Sequence, residues 1–427
     1  MGRWVFRCRT GAERWDVRLP FSLYRWDGIL GTDTMTDEIF RHDGYIFDFE
    51  AHVVSVNGDD VILDCTAFYP GGGGQVCDTG MIRNCKVTEV SYNKDNDIVH
   101  KCPGNDLQVG ETVWCQVDWD RRYDLMQGHT GEHLLFGSLQ RQCEGLGIVK
   151  IFISPENKYV IVNQDLTWEQ IRAAEDFANK AIEDNLTITH SVMDRDDPEM
   201  EKVRIKLDRI GEDEEITVVA IGDIDYSACS GVHVLETSEL EMLVVDRKVK
   251  AGKDGYEIHF KVGKEAKRAS VALSNIALEV IDVIGCKNED AAKAVSNMKH
   301  SSELKDRLLK DATKQIVKTI VPDNVNGVDV YGAVIPGGDR NVLNDTMESI
   351  RSKGGVAAFV SVSETLSVML VSGNDKVDCR SILSDVLASF GGRGGGKPDF
   401  SQGGVPDVSK SEEVLKALTD KVRGSLA

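Results

Sequence analysis

Arg121-Arg-Tyr-Asp-Leu-Met-Gln-Gly-His129-Thr-Gly-Glu-His133-Leu-Leu-Phe-Gly-Ser-Leu-Gln-Arg-Gln142 is the stretch on which the fold turns. Leu125, His129, His133, Phe136 and Gln140 recur on or near one helical face, so the spacing predicts an α-helix over 121–142. Upstream the period is two. Ile39, Tyr45, Phe47, Phe49, Val53, Val54 and Val56 run to Asn57-Gly58, and Val61-Ile-Leu63 returns. Asn-Gly between apolar runs is a strong hairpin signal, because both residues accept positive φ. Short strands at 82–90, 97–100 and 112–117 complete the pattern of a small β-barrel over 35–120.

Downstream, Ile171, Ala174, Phe177, Ala178 and Ile182 predict a second helix over 168–185. Strands at 216–221, 240–246 and 256–262 make residues 121–263 an α+β domain. Residues 264–320 read as a helical linker. Residues 321–427 read as an α/β domain: strand 328–334, helix 341–353, strands 356–362 and 366–372, helix 379–390, a glycine-dense loop, and a last helix 411–423. The expectation is a multidomain α+β protein. Residues 1–34 stand apart. They are either a native basic extension or sequence translated upstream of Met35.

Composition narrows the class. Hydrophobic residues make up 41% and charged residues 28% of the 427, as in ordinary globular proteins. No run of about 18 apolar residues predicts a membrane span. The start (Arg3, Trp4, Arg7, Arg9, Trp15) lacks the apolar core of a secretory signal. The ten cysteines are scattered without a CxxC pair, which suits a reducing, cytoplasmic setting. A net charge of −20 opposes nucleic-acid binding unless cations gather locally. They do so over 246–268, where Arg247, Lys248, Lys250, Lys253, Lys261, Lys264, Lys267 and Arg268 outnumber Asp246, Asp254, Glu257 and Glu265.

Three motifs carry chemistry. His129 and His133 lie four apart, one turn along a helix, so both imidazoles can reach one cation. Alone, such a pair is as compatible with two histidines that merely share a face. Cys229-Ser-Gly-Val-His233 supplies a thiolate and a third imidazole, with Gly231 permitting a tight turn. Together the four side chains complete a tetrahedral shell suited to zinc. Pro70-Gly-Gly-Gly-Gly-Gln75-Val-Cys-Asp78-Thr-Gly80 is the third. Gly72, Gly73 and Gly74 allow an unusual backbone shape and expose N–H groups, while Gln75 and Asp78 follow as side chains held at a site.

These motifs, in this order and at these separations, resemble the editing domain of alanyl-tRNA synthetases and its free-standing relatives, the AlaX proteins. The opening Met35-Thr-Asp-Glu-Ile-Phe…Phe49-Glu50-Ala is similar to an AlaX start. Gly391-Gly-Arg-Gly-Gly-Gly-Lys-Pro-Asp-Phe-Ser-Gln-Gly-Gly404 resembles the DHH-associated domain that ends alanyl-tRNA synthetases, which points to the long AlaX form. The resemblance implies one Zn2+ per chain on His129, His133, Cys229 and His233. It implies hydrolysis of the carboxylic ester of tRNA(Ala) mischarged with serine, with glycine a second candidate. With position, it suggests Gln75 and Thr130 as the groups that bond the serine hydroxyl; a polar site can discriminate against alanine where size alone cannot. It favours tRNA binding by Arg393 and Lys397 with the backbone of Gly394, Gly395 and Gly396, and a homodimer through the helical stretch. One departure stands out: Val232 occupies a position where the family has threonine.

Residues 1–34 are too few for an adenylation core. The chain is therefore expected to edit in trans and not to be a complete alanine–tRNA ligase. Two rivals remain: a threonyl-tRNA editing hydrolase with the same ligand spacing, and a non-catalytic zinc protein that binds tRNA.

Overall fold

The computed structural model describes residues 36–205, 216–253 and 255–427, and before them the backbone of two short strands, β1 (Arg7–Thr10) and β2 (Glu13–Trp15). The expected opening at Met35, and the rest of the extension 1–34, lie outside the described residues. The chain divides into two compact units, Met1–Ala277 and Leu278–Ala427.

The first unit begins with β3 (Ile46–Asn57), β4 (Asp60–Leu63), β5 (Gly80–Ile82), β6 (Cys85–Val87), β7 (Glu89–Tyr92), β8 (Ile98–Lys101) and β9 (Thr112–Val117). Their order is β6-β5-β9-β3-β4-β8-β7. The two ends of this path are neighbours in sequence, separated by Thr88 alone, so the sheet curls almost into a barrel. β3 makes the corner. Asp48–His52 pair with β9, while Val53–Asn57 pair with β4 across a register shift between Val53 and Ser55. The hairpin expected at Asn57-Gly58 forms with Asn57 paired to Asp60, so Gly58 (φ 62°) and Asp59 make the turn.

The barrel leads into α1 (Trp119–Gln140), capped by the Asp118 side chain. Then follow β10 (Ile148–Ile153), β11 (Lys158–Val162), α2 (Trp168–Glu183), β12 (Ile188–Met193), β13 (Ile216–Ile221), β14 (Asp225–Ala228), β15 (Leu243–Ala251), β16 (Gly255–Val262) and α3 (Gly263–Ile284). β10-β11-β16-β15 form one antiparallel sheet and β12-β13-β14 a second. α2 starts where Thr167 and Gln170 cap each other reciprocally.

The sequence suggested one functional face on α1. In the structure the helix is buried nearly all round, Arg122, Gln127, His129, Thr130, Glu132, His133 and Ser138 included. Polar groups so placed need partners inside the protein. The boundary expected near residue 120 is not a boundary in packing. One hydrophobic core runs from Phe49 and Val61 in the barrel through Leu134 and Phe136 to Ile258 and Val262. Glu239 ties the parts together, accepting from Tyr45 (2.7 Å) and Tyr123 (2.9 Å).

The second unit contains α4 (Ala291–Thr319), β17 (Asp323–Val325), β18 (Val328–Pro336), α5 (Arg340–Ser352), β19 (Val356–Val362), β20 (Leu366–Ser372), α6 (Cys379–Ser389), β21 (Arg393–Gly396), β22 (Phe400–Val405) and α7 (Ser411–Leu426). Its sheet runs β17-β18-β19-β20-β22-β21, and only β18–β19 is parallel, bridged by α5. Val356, Ala358 and Val360 join the core under α6 and α7, while Ala357 and Phe359 join the one under α5. Both faces of β19 are covered, which explains its unbroken apolar run.

The glycine-dense stretch expected as a loop is an edge hairpin, with Arg393 paired to Gly404 and Gly396 to Ser401. α6 lies so close that a Cβ on Gly394 would fall 2.6 Å from Leu383. No single helix among the described residues is long and apolar enough to cross a membrane.

Candidate metal centre

α1 presents His129 and His133 inward. The segment after β14 delivers Cys229 and His233 to the same place. One ligand atom from each of the four lies within 4.8 Å of the others. Cys229 Sγ is 3.4 Å from both His129 Nε2 and His233 Nε2. The imidazole rings of His129 and His233 have centroids 4.4 Å apart. Gly231 is required by this approach, because a Cβ there would stand 2.2 Å from His129 Cε1.

Each imidazole is held from behind. With Nε2 facing the cluster, His129 Nδ1–H donates to Gln75 Oε1 (2.8 Å), His133 Nδ1–H to Asp225 Oδ2 (2.8 Å) and His233 Nδ1–H to Thr130 Oγ1 (3.1 Å). Asp225 also accepts from Ser227 (2.7 Å) and Arg204 (3.2 Å). Such outer partners fix the tautomer and orientation of metal-binding histidines. Glu132 is fully buried, and neither of its carboxylate oxygens has a hydrogen-bond partner in the structure; its counter-charges are the Arg204 guanidinium and the His133 imidazole, whose Nε2 is 3.8 Å away.

Electrostatics favour a cation. Burial alone would push the Cys229 thiol up, but His129 and His233 hold it well below its ordinary value. By contrast, burial pushes the Cys102 and Cys379 thiols up to about 12, as expected of inert core cysteines. Burial and His129 hold His233 down to about 3, so it is a neutral donor. Burial also works to lower His133, yet Asp225 and Cys229 outweigh it and raise the imidazole to about 10. The bare cluster thus draws in a proton, the place a divalent ion would take. Three imidazole nitrogens and one thiolate, all oriented and nearly dry, fit tetrahedral zinc.

The glycine loop lies against this cluster. Gly71, Gly72, Gly73 and Gly74 all have positive φ (85°, 148°, 58° and 95°). A Cβ on Gly73 would be 3.7 Å from His129, and one on Gly72 3.1 Å from the Tyr69 hydroxyl. Gln75 is buried, its oxygen is engaged with His129, and its amide nitrogen has no partner. Thr130 is fully buried and also accepts from Val234 N (3.2 Å). Asp78 accepts from Arg122 Nε (3.0 Å) and Tyr69 N (2.7 Å), so it anchors the end of the loop and does not face the cluster. Val232 packs in the core beside Gly44, which explains why an apolar side chain suits that position.

Sequence reasoning missed Asp225, Arg204, Glu132 and His190, whose ring lies 5.7 Å from His233. A single acidic residue four before Cys229 carries no signal among the 70 in the chain. In the second unit, Arg393 and Gly394 line a recess of about 530 Å³ with Arg340, Ser367, Gln402 and Gly403. Gly395, Gly396 and Lys397 continue that hairpin to its turn.

Residues 36–121 match the family profile "tRNA synthetases class II (A)", and residues 327–424 match the DHHA1 domain. The alanine–tRNA ligase of Methanoregula boonei is 29% identical over 89% of this chain and 42% of its own length. That of Hyperthermus butylicus is 29% identical over 91% and 44%. The alanyl-tRNA editing protein AlaX-L of Pyrococcus horikoshii is 27% identical over 92% of this chain and 100% of its own length. The chain therefore spans under half of the ligases and the whole of the editing protein. In motifs and in extent it is similar to the AlaX-type alanyl-tRNA editing proteins of the long form.

Proposed function

We propose that this chain is a zinc-dependent hydrolase that cleaves the ester between serine and tRNA(Ala), with glycine a second substrate. The observation that carries the reading is the buried cluster of three imidazoles and a thiolate beside an unpartnered Gln75 amide. Bound zinc would supply a Lewis-acidic, positively charged centre there. The chain's own groups do the rest. The Gln75 amide N–H groups are free to donate to the ester carbonyl oxygen, where negative charge develops when water adds. Cleavage then frees the amino acid and returns the ribose hydroxyl.

Thr130 Oγ1 accepts from both His233 and Val234, so its own proton remains to donate. An oxygen on the substrate side chain can take that bond; the methyl of alanine cannot. This supports Thr130 as the group that favours serine. Gly73 leaves room for the ester beside His129, where even a Cβ would stand 3.7 Å from the ring.

The test is deacylation of seryl-, glycyl- and alanyl-tRNA(Ala), with threonyl-tRNA(Thr) as a fourth arm, before and after chelation. Serine release that disappears with chelator and returns with zinc is expected. No hydrolysis of any arm, or hydrolysis of the threonyl arm alone, overturns the reading. Thr130→Val is expected to cut kcat/KM for the serine ester about tenfold, as loss of one hydrogen bond of about 1–1.5 kcal/mol would. An unchanged rate on the serine ester removes Thr130 from the assignment.

A further inference from the structure

The sheet β10-β11-β16-β15 has two faces, and the core uses one. Val160, Val162, Ile258, Phe260 and Val262 are buried in the core that contains α1. The alternate residues point the other way. Strand register sets four of them in one row across all four strands: Phe152 opposite Tyr159, Tyr159 opposite His259, His259 opposite Arg247. The rings touch. Phe152 and Tyr159 are stacked at 5.3 Å and 25°, and Tyr159 and His259 have centroids 4.9 Å apart. His259 is fixed at its edge, accepting at Nδ1 from Arg247 (3.1 Å) and donating from Nε2 to Glu257 (2.8 Å).

Lys150, Ile161, Glu257 and Val249 form the next row on this face, and Lys261 lies beyond His259. None of Phe152, Tyr159, Ile161 and Val249 belongs to the hydrophobic core, and Lys150, Arg247 and Val249 are exposed. Lys150, Arg247 and Lys261 outnumber Glu257 here, in a chain whose net charge is −20. A flat aromatic row rimmed by cations is the chemistry that binds unpaired nucleotides: bases stack on rings whatever their identity, and phosphates pair with the cations.

This face adjoins the metal centre along a stretch without side chains. The glycine loop extends the sheet at the free edge of β10, with Ile153 N donating to Gly74 O (2.8 Å) and Val76 N to Ile153 O (3.0 Å). Gln75 and Ile153 are parallel partners, so both point towards α1, where Gln75 meets His129; Phe152 points to the opposite side. Gly72, Gly73 and Gly74 form the low edge between the two.

We propose that the unpaired 3′ end of the tRNA lies on this face. Its bases stack on Phe152 and Tyr159, its phosphates meet Lys150, Arg247 and Lys261, and its terminal ribose crosses the glycine edge to the cluster. The proposal rests on the hydrolase reading above and adds the path by which the ester arrives.

The experiment uses the full-length, metal-loaded chain and two tRNA(Ala) probes, one intact and one trimmed of its unpaired 3′ nucleotides. Tyr159→Ala is expected to weaken binding of the intact probe about tenfold, as loss of one base–ring stack would, and to leave the trimmed probe unaffected. Tyr159→Phe should restore the difference. Should the alanine variant fold poorly, wild-type protein is crosslinked to tRNA carrying 4-thiouridine at its penultimate position; crosslinks within 150–161 are expected. Equal loss on both probes, no loss, or crosslinks elsewhere overturn the proposal. If crosslinks map to this face but no ester is hydrolysed, the hydrolase reading fails and the binding face stands. If esters are hydrolysed and crosslinks map elsewhere, the reverse holds.

Discussion

Asp225 shows how much of the site lies one step behind the ligands. Its carboxylate holds His133 at 2.8 Å and is itself held by Ser227 and Arg204. Burial works against the charge on Asp225, and His133 and Arg204 more than offset it, so its pKa lies below the ordinary value. Asp225→Asn keeps the shape but removes that charge. Metal affinity is expected to fall about 10- to 100-fold, read by competition with a chromophoric chelator. Undiminished affinity would mean that His133 needs no such partner. Gln75 and Thr130 illustrate the same point. Each was legible as a polar residue at the site, yet each also orients a ligand, His129 or His233, a duty visible only once the Nδ1 contacts are known.

At the scale of elements, α1 departs most from its sequence pattern. Its spacing marked one face with His129 and His133, but the helix is interior nearly all round, because the barrel, two sheets and α2 surround it in one unit. Arg122 is satisfied there by Asp78, Gly44 and Ala67. Losing one partner of a buried ion pair costs about 3–5 kcal/mol, so the glycine loop and α1 are energetically linked. The barrel holds another buried titratable group. His100 on β8 donates to Val61 O (3.1 Å), pairs with Thr66 (2.8 Å), and is lowered to about 4 by burial. Unfolded histidine titrates near 6.5, so between these values the unfolded chain binds the extra proton. Stability is therefore unaffected by this group above about pH 6.5 and falls as pH drops towards 4, by about 3 kcal/mol across the window. Urea melts of wild type and His100→Asn over that range should diverge in slope. Parallel curves would show that His100 does not carry the effect.

On the proposed function, the molecule binds a polyanion while carrying a net charge of −20. The cations proposed for this role are local: Lys150, Arg247 and Lys261 in the first unit, Arg393 and Lys397 in the second. Replacing both Arg393 and Lys397 with alanine should weaken tRNA binding and flatten its salt dependence, by a log–log slope of about 0.9 per lost phosphate contact. Filter binding across a salt series checks this, and an unchanged slope would place the contacts elsewhere. The two compact units also bear on domain structure. The helices and most strands after residue 264 were legible from their periods, but the compact units divide between Ala277 and Leu278, inside the stretch read as a linker. The barrel and the part with the His and Cys cluster read as separate domains because their periods differ, but their side chains share one core.

Four-residue spacing on a helix and across a glycine turn is local geometry, so the chain's residues alone pointed to the side chains that could hold a metal. Local periodicity likewise marked the Asn57-Gly58 hairpin and the helices α1 and α2, whereas the single strand read over 82–90 is split among β5, β6 and β7. Packing established that the helical pair and the Cys229–His233 pair meet, that Asp225 stands behind His133, and that Phe152, Tyr159, His259 and Arg247 form one row. Those facts depend on strand register and on packing between segments distant in the chain, which no local spacing encodes.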